Sequence, residues 1–266
     1  MVQPQQPIGI FDSGIGGLTV ASAMAKALPN ERFLYFGDTA HLPYGEKSKS
    51  LITEYSVQIT LFLLEKGIKH LVIACNSASA AAYESVRALC AAHGVAVTNV
   101  IDPVVDYIQH KKFKHVGIIG TKATISSGIF QEKLKPTAGL EVHPKSTPLL
   151  AAMIEEGFAG TDVSRGVLKS YLSDPVLRGI EAIALACTHY PLIASEVRDY
   201  FGGEVAVLDT AQIVAEHVKN TLTDLDLLAE SNSEPHEFFV SDLTDSFKKS
   251  TQLFFGTDVL LKAQKL

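Results

Sequence analysis

The chain has 266 residues, of which 47% are hydrophobic and 20% are charged, a composition typical of a folded globular protein and not of a disordered one. The formal net charge of -6 argues against a protein that follows nucleic-acid phosphates, because such proteins usually carry a basic stripe. The sequence contains no apolar run of about 18 residues that would span a membrane, and residues 1–7 lack the features of a signal peptide.

Cysteine content bears on the cellular compartment. The three cysteines are an odd number without regular spacing, which suits a reducing environment where thiols stay free. We therefore expect a cytoplasmic protein that binds neither nucleic acid nor membranes.

Short apolar segments alternate along the chain with segments of helical periodicity. This alternation predicts an α/β fold with mostly parallel sheets flanked by helices. The helical segments are expected to end near Gly67 and Gly94, since glycine is favoured just after a helix. The predicted strands are Ile8 to Phe11, Arg32 to Phe36, Leu71 to Ala74, Val95 to Val97, Val116 to Ile119, Ile183 to Ala186 and Val205 to Leu208.

A short cationic run occupies residues 110–115 and contains three lysines and two histidines. It precedes a predicted strand, so we interpret it as a solvated helix end. We assign no function to it.

Two segments of the chain resemble each other. Residues 71–77 and 183–189 both run from an apolar strand through a cysteine and small polar residues toward a helix. A fainter echo pairs residues 10–14 with residues 118–121, each an apolar strand followed by a hydroxyl residue near glycine. We expect two similar lobes, formed by residues 1–98 with 209–266 and by residues 99–208, with a ligand in the cleft at the carboxyl ends of their strands.

The two matched cysteines are candidates for chemistry. Cys75 and Cys187 each follow a predicted strand and precede a helix, where the helix dipole favours a thiolate and can lower its pKa. A lone cysteine is more often a small buried hydrophobe, but two in matched polar contexts favour function. Cys90 lacks polar neighbours and shares a helix face with Tyr83 and Val86, so we assign it to the core.

The cysteines could instead bind zinc or form a redox pair. Cys75, Cys187 and His189 could supply three zinc ligands, but paired spacings such as C-x-x-C, which are typical of structural zinc, are absent from the sequence. The same absence argues against a C-x-x-C redox motif, although it does not exclude spatial proximity. We therefore expect no metal.

A glycine-rich turn at residues 12–17 follows the first predicted strand. It matches neither the G-x-G-x-x-G dinucleotide pattern, because Thr19 stands in the place of the third glycine, nor the phosphate-binding P-loop. Nucleotide cofactors are unsupported.

Four segments together resemble glutamate racemase, of the aspartate/glutamate racemase superfamily. They are Asp12 to Gly17, Asp38 with Pro43-Tyr44-Gly45, Cys75 to Ala80, and Cys187 to Leu192. Their order is that of the family, and the resemblance spans about residues 8 to 215. Two positions depart from the family pattern: Ser77 stands where threonine is usual, and Ala186 where glycine commonly precedes the second cysteine.

The resemblance implies interconversion of L- and D-glutamate by two thiols, without a cofactor, in a homodimer that supplies D-glutamate for peptidoglycan. It implies that Cys75 and Cys187 exchange the α-proton, assisted by Asp12 and His189 respectively. Glu155 resembles the acidic residue that orients His189, with Glu156 as an alternative. Two thiols suit this symmetry, since a thiol of pKa about 8.5 needs little tuning to act as base or acid at neutral pH.

The substrate carboxylates require donors, and the four segments contain no arginine. Hydroxyls, amides and helix N-termini can hold them instead, although Ser77 and Thr124 could also be ordinary helix caps. The expected substrate-binding residues are Asp12, Ser13, Pro43, Tyr44, Gly45, Cys75, Asn76, Ser77, Thr121, Thr124, Cys187, Thr188 and His189. Two alternatives stay open: an aspartate or hydantoin racemase of the same superfamily, and a regulatory binding protein that retains the fold.

Overall fold

The computed structural model describes residues 2–266, with the side chains of residues 246 and 249 excepted. Strands and helices alternate throughout. In chain order the strands are β1 (Ile8–Asp12), β2 (Phe33–Gly37), β3 (His70–Ile73), β4 (Ala96–Asn99), β5 (His115–Gly120), β6 (Glu141–Ser146), β7 (Ala182–Ala186), β8 (Ala206–Leu208), β9 (Glu237–Val240) and β10 (Leu261–Ala263).

The helices cover the faces of the sheets. They are α1 (Leu18–Ala27), α2 (Lys49–Glu65), α3 (Asn76–Ala91), α4 (Asp102–Lys111), α5 (Lys122–Ser126), α6 (Ile129–Leu134), α7 (Pro148–Glu155), α8 (Asp162–Leu172), α9 (Ala194–Tyr200), α10 (Thr210–Asp224) and α11 (Asp245–Phe255). None of the described helices is long and apolar enough to cross a membrane.

The strands form two separate parallel sheets. The first has six strands in the order β10-β9-β2-β1-β3-β4, and the second has four in the order β6-β5-β7-β8. Central strands such as β1 and β7 are wholly buried, as expected where helices cover both faces of a parallel sheet. The predicted α/β fold class is confirmed.

Local sequence signals explain where several helices begin and end. The Ser48 hydroxyl accepts a hydrogen bond from the amide of Leu51 and caps α2. Gly67 and Gly94 have φ values of 75° and 68°, a left-handed conformation that glycine adopts without steric cost. The helix ends predicted at these glycines are confirmed.

Three strands were not predicted from the sequence. Strand β6 lies at a sheet edge, contains Pro144 and is mostly half-buried, so it lacks the continuous apolar run of a central strand. Strands β9 and β10 are short, with four and three residues, and β10 is a mostly exposed edge strand.

The lobe boundaries can be compared with the sheets. The strands of the six-stranded sheet come from residues 8–99 and 237–263, and those of the four-stranded sheet from residues 115–208. The division into residues 1–98 with 209–266 and residues 99–208 stays a prediction about domains.

Candidate active site

A cavity of about 250 Å³ lies where strands of both sheets end. The turns after β1 and β3 enter it from the first sheet, and those after β5 and β7 from the second, because parallel strands present their carboxyl ends to the same side. It is lined by Ser13, Gly14, Leu42, Pro43, Tyr44, Gly45, Glu46, Cys75, Asn76, Ser77, Thr121, Lys122, Pro148, Ala151, Ala152, Glu155, Cys187, Thr188 and His189.

The first thiol, Cys75, stands at the beginning of α3. Its Sγ atom accepts a hydrogen bond from the Ala78 amide at 3.5 Å, and its S–H points to the Ser13 hydroxyl oxygen at 3.7 Å. Burial, together with the negative charge of Asp12, raises the pKa of Cys75 to about 12 despite these two contacts. The amide at the helix start lowers this pKa as expected, but burial outweighs it, so the sulfur is a thiol at neutral pH.

The second thiol, Cys187, lies beside an imidazole. Its Sγ atom is 3.7 Å from Nδ1 of His189, and Nε2 of the same ring is 2.7 Å from Oε1 of Glu155. Burial alone would lower the pKa of His189, but the interactions with Cys187 and Glu155 outweigh it and raise the pKa to about 10. The ring is consequently a cation at neutral pH and lies beside the Cys187 sulfur. The adjacent Glu156 is exposed.

Asp12 lies behind the cavity wall. It is completely buried, accepts a hydrogen bond from the Gly14 amide at 3.1 Å and receives the Thr188 hydroxyl at 3.4 Å. Burial raises its pKa, opposed by the charge of His189 and by the Gly17 and Gly14 amides. Asp12 is not among the lining residues, and its contacts with Gly14 and Thr188 join the turn after β1 to the segment that carries the second thiol.

The glycine-rich turn allows close packing against the segment that follows Cys187. A Cβ atom placed on Gly16 would lie 2.4 Å from Cε1 of His189 and 2.6 Å from the Thr188 hydroxyl. One on Gly17 would lie 2.5 Å from Cβ of Asp12. Gly16 and Gly17 are therefore required for this close packing.

Hydroxyl groups meet on the wall between the two sheets. The Ser77 hydroxyl is 2.9 Å from that of Thr121, which is 3.0 Å from that of Thr124. Ser77 and Thr121 line the cavity, whereas Thr124 is buried behind them and is not a lining residue. Thr121 also caps α5 by accepting from the Thr124 amide.

Tyr44 is fixed in the wall by a buried carboxylate. Its hydroxyl donates to Asp38 at 2.6 Å, and Ser241 donates to the same side chain at 2.8 Å. Gly45 lies against Thr121, because a Cβ at this position would be 2.9 Å from that of Thr121. The Pro43-Tyr44-Gly45 segment thereby joins the two halves of the wall.

Sequence reasoning missed part of the lining. Pro148, Ala151 and Ala152 project from α7 at helical spacing beside the predicted Glu155, and this periodicity was available in the sequence. Lys122 directly follows Thr121 and is an exposed cation at the wall, joined by the exposed Glu46. The expectation of purely neutral donors around the substrate did not include this lysine.

Comparison with known proteins places the chain in a family. The family described as Asp/Glu/Hydantoin racemase matches residues 18–218. The chain belongs to this family. A glutamate racemase of Chlorobaculum parvum is 39% identical to this racemase-family chain over 257 residues, which cover 95% of this chain and 93% of the relative.

Solved structures agree with this family membership. The glutamate racemase of Francisella tularensis in complex with D-glutamate has a TM-score of 0.92 at 33% identity, covering 98% of both chains. That of Thermus thermophilus in complex with β-chloro-D-alanine has a TM-score of 0.88 at 35% identity, covering 99% of this chain and 98% of the other. The resemblance to glutamate racemase is confirmed.

Proposed function

We propose that this chain is a glutamate racemase in which Cys75 and Cys187 exchange the α-proton of glutamate across the cavity. One observation carries the proposal: two buried thiols, supplied by corresponding strand ends of two different sheets, line one small cavity. Inversion needs one group on each face of the α-carbon, with one acting as base while the other acts as acid.

The environments of the two thiols differ. Cys187 lies beside the His189 cation, whereas Cys75 keeps its proton because of burial. With L-glutamate, the Cys187 thiolate removes the α-proton and becomes a thiol. Cys75 then gives its proton to the opposite face of the carbanion, which leaves D-glutamate and a Cys75 thiolate. The reverse reaction uses the same groups in exchanged roles.

The remaining lining residues suit an acidic amino acid. Donors from Ser13, Asn76, Thr121 and Thr188 can hold its carboxylates and polarise the α-carbon toward deprotonation. Lys122 adds one positive charge at the wall, away from any described contact with either thiol. Replacing the Ser13 hydroxyl by Ser13→Ala should strongly reduce turnover.

The substrate is tested by polarimetry of the purified protein on L- and D-glutamate and both aspartates. We expect turnover of glutamate in both directions and much slower turnover of aspartate. Equal rates on the two amino acids would contradict the assignment to glutamate.

The two roles are tested with chloroalanine, which can lose chloride after α-deprotonation and therefore needs only one base. Cys75→Ser and Cys187→Ser should each nearly abolish racemisation, since a serine hydroxyl is a poor base at neutral pH. Cys75→Ser should still eliminate chloride from the L enantiomer, and Cys187→Ser from the D enantiomer. Cys90→Ser is the matched control and should retain racemisation.

Solvent isotope gives an independent measurement. In deuterated water, wild-type enzyme should place deuterium mainly in the inverted product, because the incoming proton comes from the opposite thiol. Two results would overturn the two-thiol assignment. One is that both cysteine variants lose chloride elimination from the same chloroalanine enantiomer, and the other is that either variant racemises glutamate at a near-normal rate.

Further parts of the proposal concern the whole chain. We infer two lobes at the predicted boundaries, supported by the origin of the strands in each sheet and by packing of α10 on α1. We also propose a cytoplasmic homodimer that supplies D-glutamate for peptidoglycan. The three free cysteines suit the reducing compartment, and light scattering of the purified protein would test the dimer.

A further inference from the structure

A cluster of three potential metal ligands lies at the other end of the second sheet. His115 and Glu141 are the first residues of β5 and β6, and they are paired in the parallel register, with His143 opposite Gly117. Since side chains alternate along a strand, Glu141 and His143 share one face of β6. The cluster is thus at the amino ends of strands whose carboxyl ends border the racemase cavity.

The distances within the cluster match a coordination sphere. Nδ1 of His115 is 3.2 Å from Nε2 of His143 and 3.5 Å from Oε2 of Glu141, and the three donor atoms all lie within 4.8 Å of one another. Ligands bound to zinc at about 2.0–2.2 Å in tetrahedral geometry are separated by about 3.4 Å. Small side-chain movements would therefore complete the geometry.

The chemistry of the donors agrees with the distances. Two neutral imidazoles and one carboxylate are a common zinc set, with solvent in the fourth position. The side chains of His115 and Glu141 are 42% and 70% exposed, so an ion can enter without opening the fold. Cys75, Cys187 and His189 do not form such a cluster among the residues that the structure describes.

We propose that His115, Glu141 and His143 bind one zinc ion at the amino-terminal edge of the four-stranded sheet. The ion would join β5 to the edge strand β6, which is mostly half-buried. Because the cluster lies at the opposite strand ends from the cavity, this ion acts on stability and not on the proton transfer.

The binding test uses zinc itself and the full chain. The Cys75→Ser/Cys187→Ser double variant removes both cavity thiols, so that zinc bound there does not confuse the measurement. Equilibrium dialysis with metal analysis should give one zinc per chain in this background. His115→Gln or His143→Gln should weaken binding at least tenfold, as loss of a direct ligand must exceed the effect of outer-shell changes.

Matched controls are two exposed histidines whose rings contact a backbone carbonyl oxygen and not the side chain of another potential metal ligand. These are His93, with Leu89, and His110, with Asp106. His93→Gln and His110→Gln should leave zinc binding unchanged. Glu141→Gln changes only an exposed side chain, so it keeps the fold and should still weaken zinc binding.

Thermal unfolding provides a second readout, since a ligand that binds only the folded state raises the midpoint. Zinc should raise the midpoint of the double-cysteine background and of its His110→Gln form, but not of its His143→Gln form. Zinc binding that is unaffected by His115→Gln, His143→Gln and Glu141→Gln would overturn the proposal. So would less than half an equivalent bound at saturating zinc.

Discussion

Nε2 of His189 lies 2.7 Å from Oε1 of Glu155, while Nδ1 of the same ring faces the Cys187 sulfur at 3.7 Å. The carboxylate thereby orients the ring and retains its charge beside the thiol. Glu155→Gln should reduce conversion of L-glutamate at least tenfold, about 1.4 kcal/mol in activation free energy, as measured by circular dichroism of the product. The exposed neighbour variant Glu156→Gln should have near-normal rates; equal losses in both would contradict the proposed role of Glu155.

Gly16 provides a second test of the same ring. Gly16→Ala places a methyl group where Cε1 of His189 is only 2.4 Å away, so the ring must move from Cys187. We expect at least a tenfold loss of racemisation in steady-state assays. Gly166→Ala is the control, since a Cβ there meets nothing within 4 Å and alanine is favoured in a helix. Normal activity of Gly16→Ala would show that the ring position is unimportant.

Stability should depend on pH through His189. Its pKa rises from an ordinary 6.5 to about 10 in the folded chain, so the folded state holds the proton more tightly. The stabilisation is complete below about pH 6.5 and is lost as pH rises through about 10. Urea unfolding between these values should show a decline in the free energy of unfolding, on the order of a few kcal/mol. The free energy of unfolding of His189→Asn should depend less on pH. If wild type and variant had parallel pH profiles, the pH dependence would not come from His189.

A buried ion pair joins the segment that precedes β2 to the segment that precedes β3. Nζ of Lys69 is 2.6 Å from Oε2 of Glu31 and 2.7 Å from the Leu227 carbonyl. Lys69→Met leaves the buried Glu31 carboxylate without its counter-charge, and we expect a loss of about 3–5 kcal/mol in urea unfolding. Arg87→Ala breaks an exposed pair with Glu84 and should change the free energy of unfolding little, because exposed ion pairs contribute little to stability. If Lys69→Met and Arg87→Ala lowered the free energy of unfolding equally, burial would not determine the contribution of the ion pair to stability.

Cys90 lies on the buried face of α3 with no exposed surface, and its assignment to the core is confirmed. Cys90→Ser puts a hydroxyl into this apolar cluster, so thermal unfolding should show a loss of about 1–3 kcal/mol. Turnover of the folded variant should stay near wild type. Abolished turnover with an intact fold would contradict the separation of Cys90 from the catalytic thiols.

Sequence patterns predicted the strands that carry the cavity because those strands are central and continuously apolar. Cys75 and Cys187 could be placed at strand ends for the same reason. The patterns did not reveal β6, whose polar residues and proline suit an edge, or the short strands β9 and β10. They also could not predict how deeply Cys75 is buried, and this burial is the main reason why its pKa is raised.

The contact between Glu155 and His189 shows another limit of local patterns. The sequence favoured Glu155 but left the adjacent Glu156 as an alternative, and only the phase of α7 against the cavity separates them. Likewise, helical periodicity could have located Pro148 and Ala151, but it could not show which sheet they would face. Such choices depend on the packing of elements far apart in the chain.

The ring of Phe254 meets the His189 ring edge-on, with centroids 5.2 Å apart. Phe254 belongs to α11, which lies between the outer strands β9 and β10 of the first sheet. During translation, Phe254 leaves the ribosome after both thiols, His189 and Glu155 have already emerged. The nascent chain consequently holds all its proton-transfer groups before the surface that packs against the imidazole exists, and the histidine acquires its final packing only after α11 has docked.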